Sequence, residues 1–163
     1  ILYNVPSRTG LSFTAKTYKE LSKHPNINGV KEASGNFTLM AETLHLCGDA
    51  LNMWSGNDDQ TVPMLALGAK GVISVAANIV PGVMAEICKL FFAGEVAKSN
   101  ALALKYFDLM NKLFIEVNPI PVKKAMQLMG LDSGILRLPL YEMSSENTAI
   151  LKEAMINMGL KLK

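Results

Sequence analysis

The sequence contains few charged side chains and no long apolar run. Charged residues make up 18% of the chain, below the roughly 25% of an average soluble domain, and the formal net charge at pH 7 is only +2. No run of Lys or Arg is present, which argues against a nucleic-acid or membrane partner. No apolar run approaches the ~20 residues of a membrane span, and no stretch resembles a signal peptide. The scarcity of charge predicts large buried or mutually covering surfaces.

Cysteine and histidine are equally scarce. Cys47 and Cys88 lie singly in apolar, helix-like stretches, without a Cys-x-x-Cys motif or a histidine cluster beside them. They predict two free thiols in a reducing cytoplasm. His24 precedes a proline and His45 lies within a helical pattern, and neither has a plausible metal-ligating neighbour. The sequence therefore predicts no metal site.

Short apolar runs alternate with helical patterns along the first half of the chain. The runs cover residues 1–5, 27–31, 51–55 and 71–75. Because short strands that alternate with longer helices form βα units, the pattern predicts a parallel sheet. The chain opens inside the first of these runs, without an initiator methionine, and we interpret it as a fragment of a longer protein.

Capping residues and apolar spacing predict the helices. Ser12 is predicted to cap residues 13–21, Asn36 to cap 37–46, and Asp58 or Asp59 to cap 61–67. After the fourth apolar run the pattern is purely helical, over residues 79–93, 95–115, 118–130 and about 145–158. We therefore predict four βα units in a first domain, residues 1–94, and a three-helix domain at the carboxyl end, residues 95–163.

Four βα units cannot close a barrel, and an open four-stranded parallel sheet would expose two edges. A doubly wound dinucleotide-binding sheet lacks support because no Gly-x-Gly-x-x-Gly turn follows any strand. Half of an eight-stranded barrel fits the repeat lengths better, so the predicted fold class is α/β, as half of a TIM (β/α)8 barrel. In such barrels the active site lies at the carboxyl ends of the strands.

Lys31 ends the second predicted strand, so its ammonium would point into the mouth or core of a barrel. Burial there would lower the pKa of the amine from about 10.4. A neutral amine attacks a ketone to form an imine, which then serves as an electron sink for the neighbouring carbon. The alternative is a lysine that pairs with Glu32 at the edge of the strand.

Two other side chains could serve the same mouth. Tyr3 is a hydroxyl donor at the end of the first strand and could shuttle protons to an imine carbon, or it could be a buried aromatic residue at the barrel rim. Arg8 could bind a carboxylate through a bidentate pair of hydrogen bonds, or it could be a solvated loop residue. Ser55-Gly56-Asn57-Asp58 could offer backbone groups to a ligand or merely cap a helix, and Trp54 is predicted to fill the core.

These segments together resemble the dihydrodipicolinate synthase (4-hydroxy-tetrahydrodipicolinate synthase) family, along the whole chain and in order. The segments that carry the resemblance are Tyr3-Asn4-Val5-Pro6-Ser7-Arg8-Thr9-Gly10, Gly29-Val30-Lys31-Glu32-Ala33-Ser34-Gly35-Asn36, Ser55-Gly56-Asn57-Asp58, Gly68-Ala69-Lys70-Gly71-Val72-Ile73-Ser74-Val75, Asn118-Pro119-Ile120-Pro121-Val122-Lys123 and Arg137-Leu138-Pro139-Leu140.

The resemblance implies a lyase that condenses pyruvate with aspartate semialdehyde on the route to diaminopimelate and lysine. Lys31 would form the imine with pyruvate, and Tyr3 would relay protons. Arg8 would bind the carboxylate of the semialdehyde, while Gly56 and the backbone at Ile73 would line the pyruvate pocket. No metal or organic cofactor is expected, because the lysine supplies the electron sink. The intact protein would be a homotetramer.

Two alternatives remain open at this stage. One is a related pyruvate-dependent aldolase, such as an N-acetylneuraminate lyase-like or keto-sugar-acid aldolase; Arg8 in its Ser-Arg-Thr-Gly turn favours the synthase. The other is a non-catalytic half barrel that associates with itself. Family members carry about four further βα units ahead of this region, so the resemblance implies that this chain is the second half of the TIM (β/α)8 barrel. Those further units include a loop that binds the pyruvate carboxylate and a threonine that passes protons to Tyr3. We therefore expect little synthase activity from this chain alone.

Overall fold

A three-stranded parallel sheet forms the first part of the chain in the computed structural model, which describes residues 1–163. The strands are β1 (Leu2–Asn4), β2 (Gly29–Glu32) and β3 (Asn52–Ser55), in the order β1-β2-β3. The helices are α1 (Pro6–Thr9), α2 (Ala15–Leu21), α3 (Phe37–Cys47), α4 (Thr61–Leu67), α5 (Pro81–Phe92), α6 (Val96–Lys112), α7 (Ile120–Leu128) and α8 (Ser145–Asn157). The alternation of strands and helices confirms the α/β class.

The fourth predicted strand, residues 71–75, is wrong as a full strand. Only Val72 bridges to β3, at Ser55, and the backbone amide of Ile73 donates to the Ser55 carbonyl at 2.8 Å. The ladder then stops because the amides of Val75 and Ala76 donate to the carboxylate of Asp58 instead. A short 3-10 turn, Ala76–Asn78, follows.

Of the three predicted helix caps, one is confirmed and two are wrong. The Asn36 side chain accepts from the Leu39 amide and caps α3 as predicted. The cap of α2 is Thr14, not Ser12, because Ser12 lies two residues too early and its hydroxyl accepts a bond from Asn4. Residues 58–60 form a 3-10 turn and the α4 cap position is Gln60, so neither predicted aspartate caps that helix.

The apolar side chains form two cores. The smaller, of seven buried residues, lies between one face of the sheet and α2, α3 and α4, and includes Tyr18, Val30 and Met53. The larger, of 16 buried residues, joins α4 to α8 and reaches from Val62 to Met155. The division into domains at residue 94 stays a prediction. No helix combines the length and the apolar character that crossing a membrane requires.

Candidate active site

The sheet has one face covered by helices and one open face. Successive strand residues point to opposite faces, and Val30 is fully buried in the smaller core. Its neighbour Lys31 therefore points to the open face. The register pairs Tyr3 with Lys31 and Lys31 with Trp54, so the three side chains form one row across that face.

Tyr3 and Lys31 are in direct contact within this row. The Lys31 Nζ atom lies 4.3 Å from the centroid of the Tyr3 ring, in a cation–π contact. Lys31 is half-buried, whereas Tyr3 is 47% exposed. The site thus combines a primary amine, which is a potential nucleophile, with an accessible phenol that is a potential proton donor.

The alternative in which Lys31 pairs with Glu32 is wrong. The two residues are adjacent in one strand, so their side chains leave opposite faces of the sheet. The five salt bridges of the chain are formed by Lys23, Lys89, Lys98, Lys112 and Lys123. Lys31 is therefore free of a carboxylate partner within the chain.

Glu32 is fully buried beneath the sheet and is bonded only to neutral donors. The Asn4 side-chain amide donates to both of its oxygens, at 3.0 and 3.1 Å. The Tyr18 hydroxyl donates at 2.9 Å and the Ser34 backbone amide at 2.8 Å. Burial, together with the charge of Glu32, raises the pKa of Tyr18 far above its usual range, which keeps this phenol a donor. Sequence reasoning missed this network, although strand alternation could have indicated it.

Gly56 brings the backbone after β3 against Lys31. A Cβ atom at this position would lie 2.7 Å from the Ala33 Cβ, 3.1 Å from the Glu32 carbonyl oxygen and 3.2 Å from the Lys31 Cε. The Gly56 amide also donates to that carbonyl at 2.8 Å. The absence of a side chain therefore permits the close approach of β2 and the loop after β3 at the amine.

Substitution Gly56→Ala is expected to destabilise the chain, because two of the three clashes involve a backbone carbonyl and a packed methyl group that cannot swing away. We expect the free energy of unfolding to fall by about 1–3 kcal/mol, the scale of overpacking, as measured by urea denaturation. Gly82→Ala is the matched control, since a Cβ there meets nothing within 4 Å and alanine favours the helix. Equal stability of the two variants would contradict the close approach.

Ile73 lies beside this loop through its backbone bond to Ser55, and its side chain is 37% exposed. The 3-10 turn after Ile73 is held by hydrogen bonds to Asp58, which is 3% exposed. Its Oδ2 accepts from the Val75 amide at 3.1 Å and the Ala76 amide at 2.8 Å, while its Oδ1 is buried without a hydrogen-bond partner. Burial raises the pKa of the Asp58 carboxyl above its ordinary 3.8.

Asp58→Asn is expected to remove a pH dependence of stability. Because the pKa of Asp58 is raised on folding, the folded chain binds this proton more tightly than the unfolded chain does. Its stabilising contribution is therefore present below pH 3.8 and is lost as the pH rises through the raised pKa. The side-chain oxygen of asparagine still accepts hydrogen bonds from both backbone amides. The side chain is neutral, so no charge is buried. We expect the variant to be at least as stable as the original chain at about pH 7.

The measurement is urea denaturation at a series of pH values from about 4 to about 7. The exposed Asp49 provides the control, Asp49→Asn, which should retain the original slope of stability against pH. An unchanged slope in Asp58→Asn would show that another group is responsible.

Arg8 lies in α1, directly after β1, and contacts the carboxyl-terminal helical region. Both terminal nitrogens donate to the Asn118 backbone carbonyl, at 3.2 and 3.3 Å. The guanidinium is exposed, with further N–H groups available to a ligand. The structure thus brings Tyr3, Lys31 and Gly56 together, with Ile73 beside them. Arg8 is held instead by its contact with the carboxyl-terminal helical region. No three His, Cys, Asp or Glu side chains converge as a metal-binding group.

Comparison with known proteins gives one consistent result. A family model described as "Dihydrodipicolinate synthetase family" matches residues 1–157. The 4-hydroxy-tetrahydrodipicolinate synthase of Caldicellulosiruptor saccharolyticus is 53% identical over 163 residues, which are 100% of this chain and 55% of that protein. The chain therefore spans about half the length of the curated relatives it matches.

Solved structures agree with the sequence match. The dihydrodipicolinate synthase of Aquifex aeolicus superposes with a TM-score of 0.96 at 40% identity, over 99% of this chain and 55% of that one. The synthase of Acinetobacter baumannii, crystallised in complex with pyruvate, superposes with a TM-score of 0.94 at 37% identity, over 98% and 55% of the two chains. Such similarity extends the match from sequence to the arrangement of strands and helices.

Proposed function

The chain belongs to the dihydrodipicolinate synthetase family, and we propose that it carries the catalytic lysine of a lyase that condenses pyruvate with aspartate semialdehyde to 4-hydroxy-tetrahydrodipicolinate. The observation that carries the proposal is the contact between the Lys31 amine and the Tyr3 ring on the open face of the sheet. An amine without a carboxylate partner, beside an accessible phenol, suits imine chemistry.

In the proposed reaction the Lys31 nitrogen attacks the ketone carbon of pyruvate, and the carbinolamine loses water to give an imine. Loss of a methyl proton then gives an enamine, whose carbon attacks the aldehyde carbon of the second substrate. The aldehyde oxygen takes up a proton. Finally the amino group of that substrate attacks the imine carbon and releases Lys31 as the ring closes. Tyr3 serves as the proton relay in these steps.

The remaining site residues are assigned around that amine. The loop at Gly56 and the backbone at Ile73 would line the pyruvate pocket, since both lie at the carboxyl end of β3 or directly beside it. Arg8 would bind the carboxylate of the semialdehyde with the N–H groups that Asn118 leaves available. No metal or organic cofactor has a part in this proposal.

We also infer the larger architecture. The three parallel strands and the bridge at Val72 would form one half of a (β/α)8 barrel, whose interior is the open face that carries Lys31. The rest of the pocket would be supplied by the part of the relatives that this chain does not cover. The chain by itself is therefore expected to have little synthase activity.

For the intact enzyme we propose a homotetramer in the cytoplasm, where Cys47 and Cys88 would stay reduced. Helix α6 exposes Leu104 and Phe107, three residues apart, at 63% and 48%. Apolar side chains on one helical face are typical of an interface. Light scattering on an intact enzyme that contains this sequence would test the assembly.

Trapping with borohydride tests the proposed chemistry. The purified chain is incubated with pyruvate and sodium borohydride, its intact mass is compared with 17.7 kDa, and the modified peptide is mapped. The same experiment is repeated on a chimera, in which the portion of the C. saccharolyticus synthase that this chain does not cover is joined to it. We expect a reduced pyruvate adduct on Lys31 in the chimera, together with consumption of pyruvate that depends on aspartate semialdehyde.

Either of two results would overturn the proposal. A folded chimera that carries no adduct would remove the imine mechanism. An adduct on Lys31 without turnover of aspartate semialdehyde, but with turnover of sugar-derived aldehydes, would point to a sister aldolase.

A further inference from the structure

A buried carboxylate lies directly behind the proposed catalytic lysine, on the opposite face of the sheet. We propose that Glu32, acting through Asn4, is a positioning residue that holds the Tyr3 ring beneath the Lys31 amine. The inference rests on the proposed function for its meaning in catalysis. Glu32 is fully buried, forms no salt bridge, and receives its bonds from Asn4, Tyr18 and Ser34.

A buried charge without a cation is costly and persists only when hydrogen bonds replace its hydration. A well-packed apolar residue would fill this volume without that cost. An ionised carboxylate, however, only accepts hydrogen bonds. Its acceptor character therefore determines which way the donor groups around it must face.

The acceptor character of Glu32 orients the Asn4 side chain. Its NH2 group donates to both oxygens of Glu32, so its Oδ1 must face the other way, where it accepts from the Phe13 amide at 3.3 Å. The same NH2 group lies 3.1 Å from the Ser12 hydroxyl. Asn4 is thereby fixed between β2 and the loop that leads into α2, and it is 1% exposed.

The hydrogen bonds between Asn4 and Glu32 determine the alignment of β1 with β2 at the site. Asn4 is in register with Glu32, and the preceding pair in the register is Tyr3 with Lys31. Strand β1 is only three residues long and has one neighbour, β2, so few ladder bonds hold it. A shift of one residue would turn Tyr3 away from the open face. The Asn4–Glu32 bonds oppose that shift, and Tyr3 stays beneath the amine.

A ring-current shift reports this alignment without requiring enzymatic turnover. The Lys31 side-chain protons next to Nζ should resonate upfield in the NMR spectrum of the 163-residue chain, because the Tyr3 ring lies beneath the ammonium. Tyr3→Leu should abolish the shift and so assign it. In Glu32→Gln one of the two oxygens that accept from Asn4 becomes an NH2 group, so that Asn4 keeps a single bond to residue 32 and faces a donor in place of the second acceptor. We expect the upfield shift to fall by more than half.

Two further variants separate positioning from stability. Tyr18→Phe removes one bond to Glu32 but leaves both bonds from Asn4, so the Lys31 shift should stay unchanged while stability falls. A double variant that combines Asn4→Asp with Glu32→Gln exchanges the donor and the acceptor. The introduced aspartate still accepts from the Phe13 amide and now also accepts from the introduced glutamine, so the upfield shift should return.

An unchanged Lys31 shift in folded Glu32→Gln, or equal loss of the shift in Tyr18→Phe, would overturn the proposal. Borohydride trapping gives a second readout in the chimera, where Glu32→Gln is expected to slow adduct formation roughly tenfold or more. If pyruvate is never trapped on Lys31 in the chimera without substitutions, the proposed function fails. The NMR result still decides the positioning role of Glu32.

Discussion

Lys31→Met is expected to abolish the pyruvate adduct and to lower the synthase rate of the chimera by roughly four orders of magnitude or more, the scale seen when a covalent nucleophile is removed. Methionine has a similar length and no amine, so packing on the open face should persist while no imine can form. Lys31 is half-buried and without a salt bridge, so its loss leaves no buried carboxylate unpaired. The free energy of unfolding should therefore change little.

Lys70→Met is the matched control. Lys70 lies beside the same sheet, where its backbone amide donates to the Met53 carbonyl at 2.7 Å, and its side chain is exposed. This variant should retain both the adduct and the rate. Lys31→Arg adds a second test, because it keeps a cation near Tyr3 but a guanidinium does not form the imine. Adduct formation in Lys31→Met at the original rate would show that another amine is the nucleophile.

Short apolar runs and helical apolar spacing are local signals, and they predicted most of the fold. The runs at residues 1–5, 27–31 and 51–55 became β1, β2 and β3 with ends displaced by at most two residues. Lys31 could be assigned to a strand end because its position follows from the apolar run before it. The cap of α3 at Asn36 depends on residues within one helical turn and was also correct.

The predictions that failed depend on contacts with residues outside the segment in which the pattern is read. Asp58 resembles a helix cap in sequence, but its carboxylate binds amides 17 and 18 residues later and ends the fourth ladder. Ser12 has the residue type of a cap, but Asn4 engages its hydroxyl from the neighbouring strand. Local propensity does not contain this information.

Tyr3→Phe is expected to lower the turnover number of the chimera by roughly two to three orders of magnitude, within the range attributed to general acid–base catalysis. Phenylalanine keeps the aromatic ring, so the cation–π contact with the Lys31 ammonium should survive. Only the hydroxyl is lost, and Tyr3 is 47% exposed, so no buried partner is left without a donor. Stability should therefore stay close to that of the original chain.

Exchange of the pyruvate methyl protons for deuterium in D2O isolates the step at which Tyr3 is proposed to act, because it requires the imine and proton transfer but no aldehyde. We expect exchange in Tyr3→Phe to fall together with turnover. Tyr106→Phe is the matched control, since the Tyr106 ring also lies near an ammonium, that of Lys105 at 6.0 Å, but on α6. If Tyr3→Phe exchanged protons as fast as Tyr106→Phe, the phenol would have no part in proton transfer, and the role of Tyr3 would be limited to its ring beneath the amine.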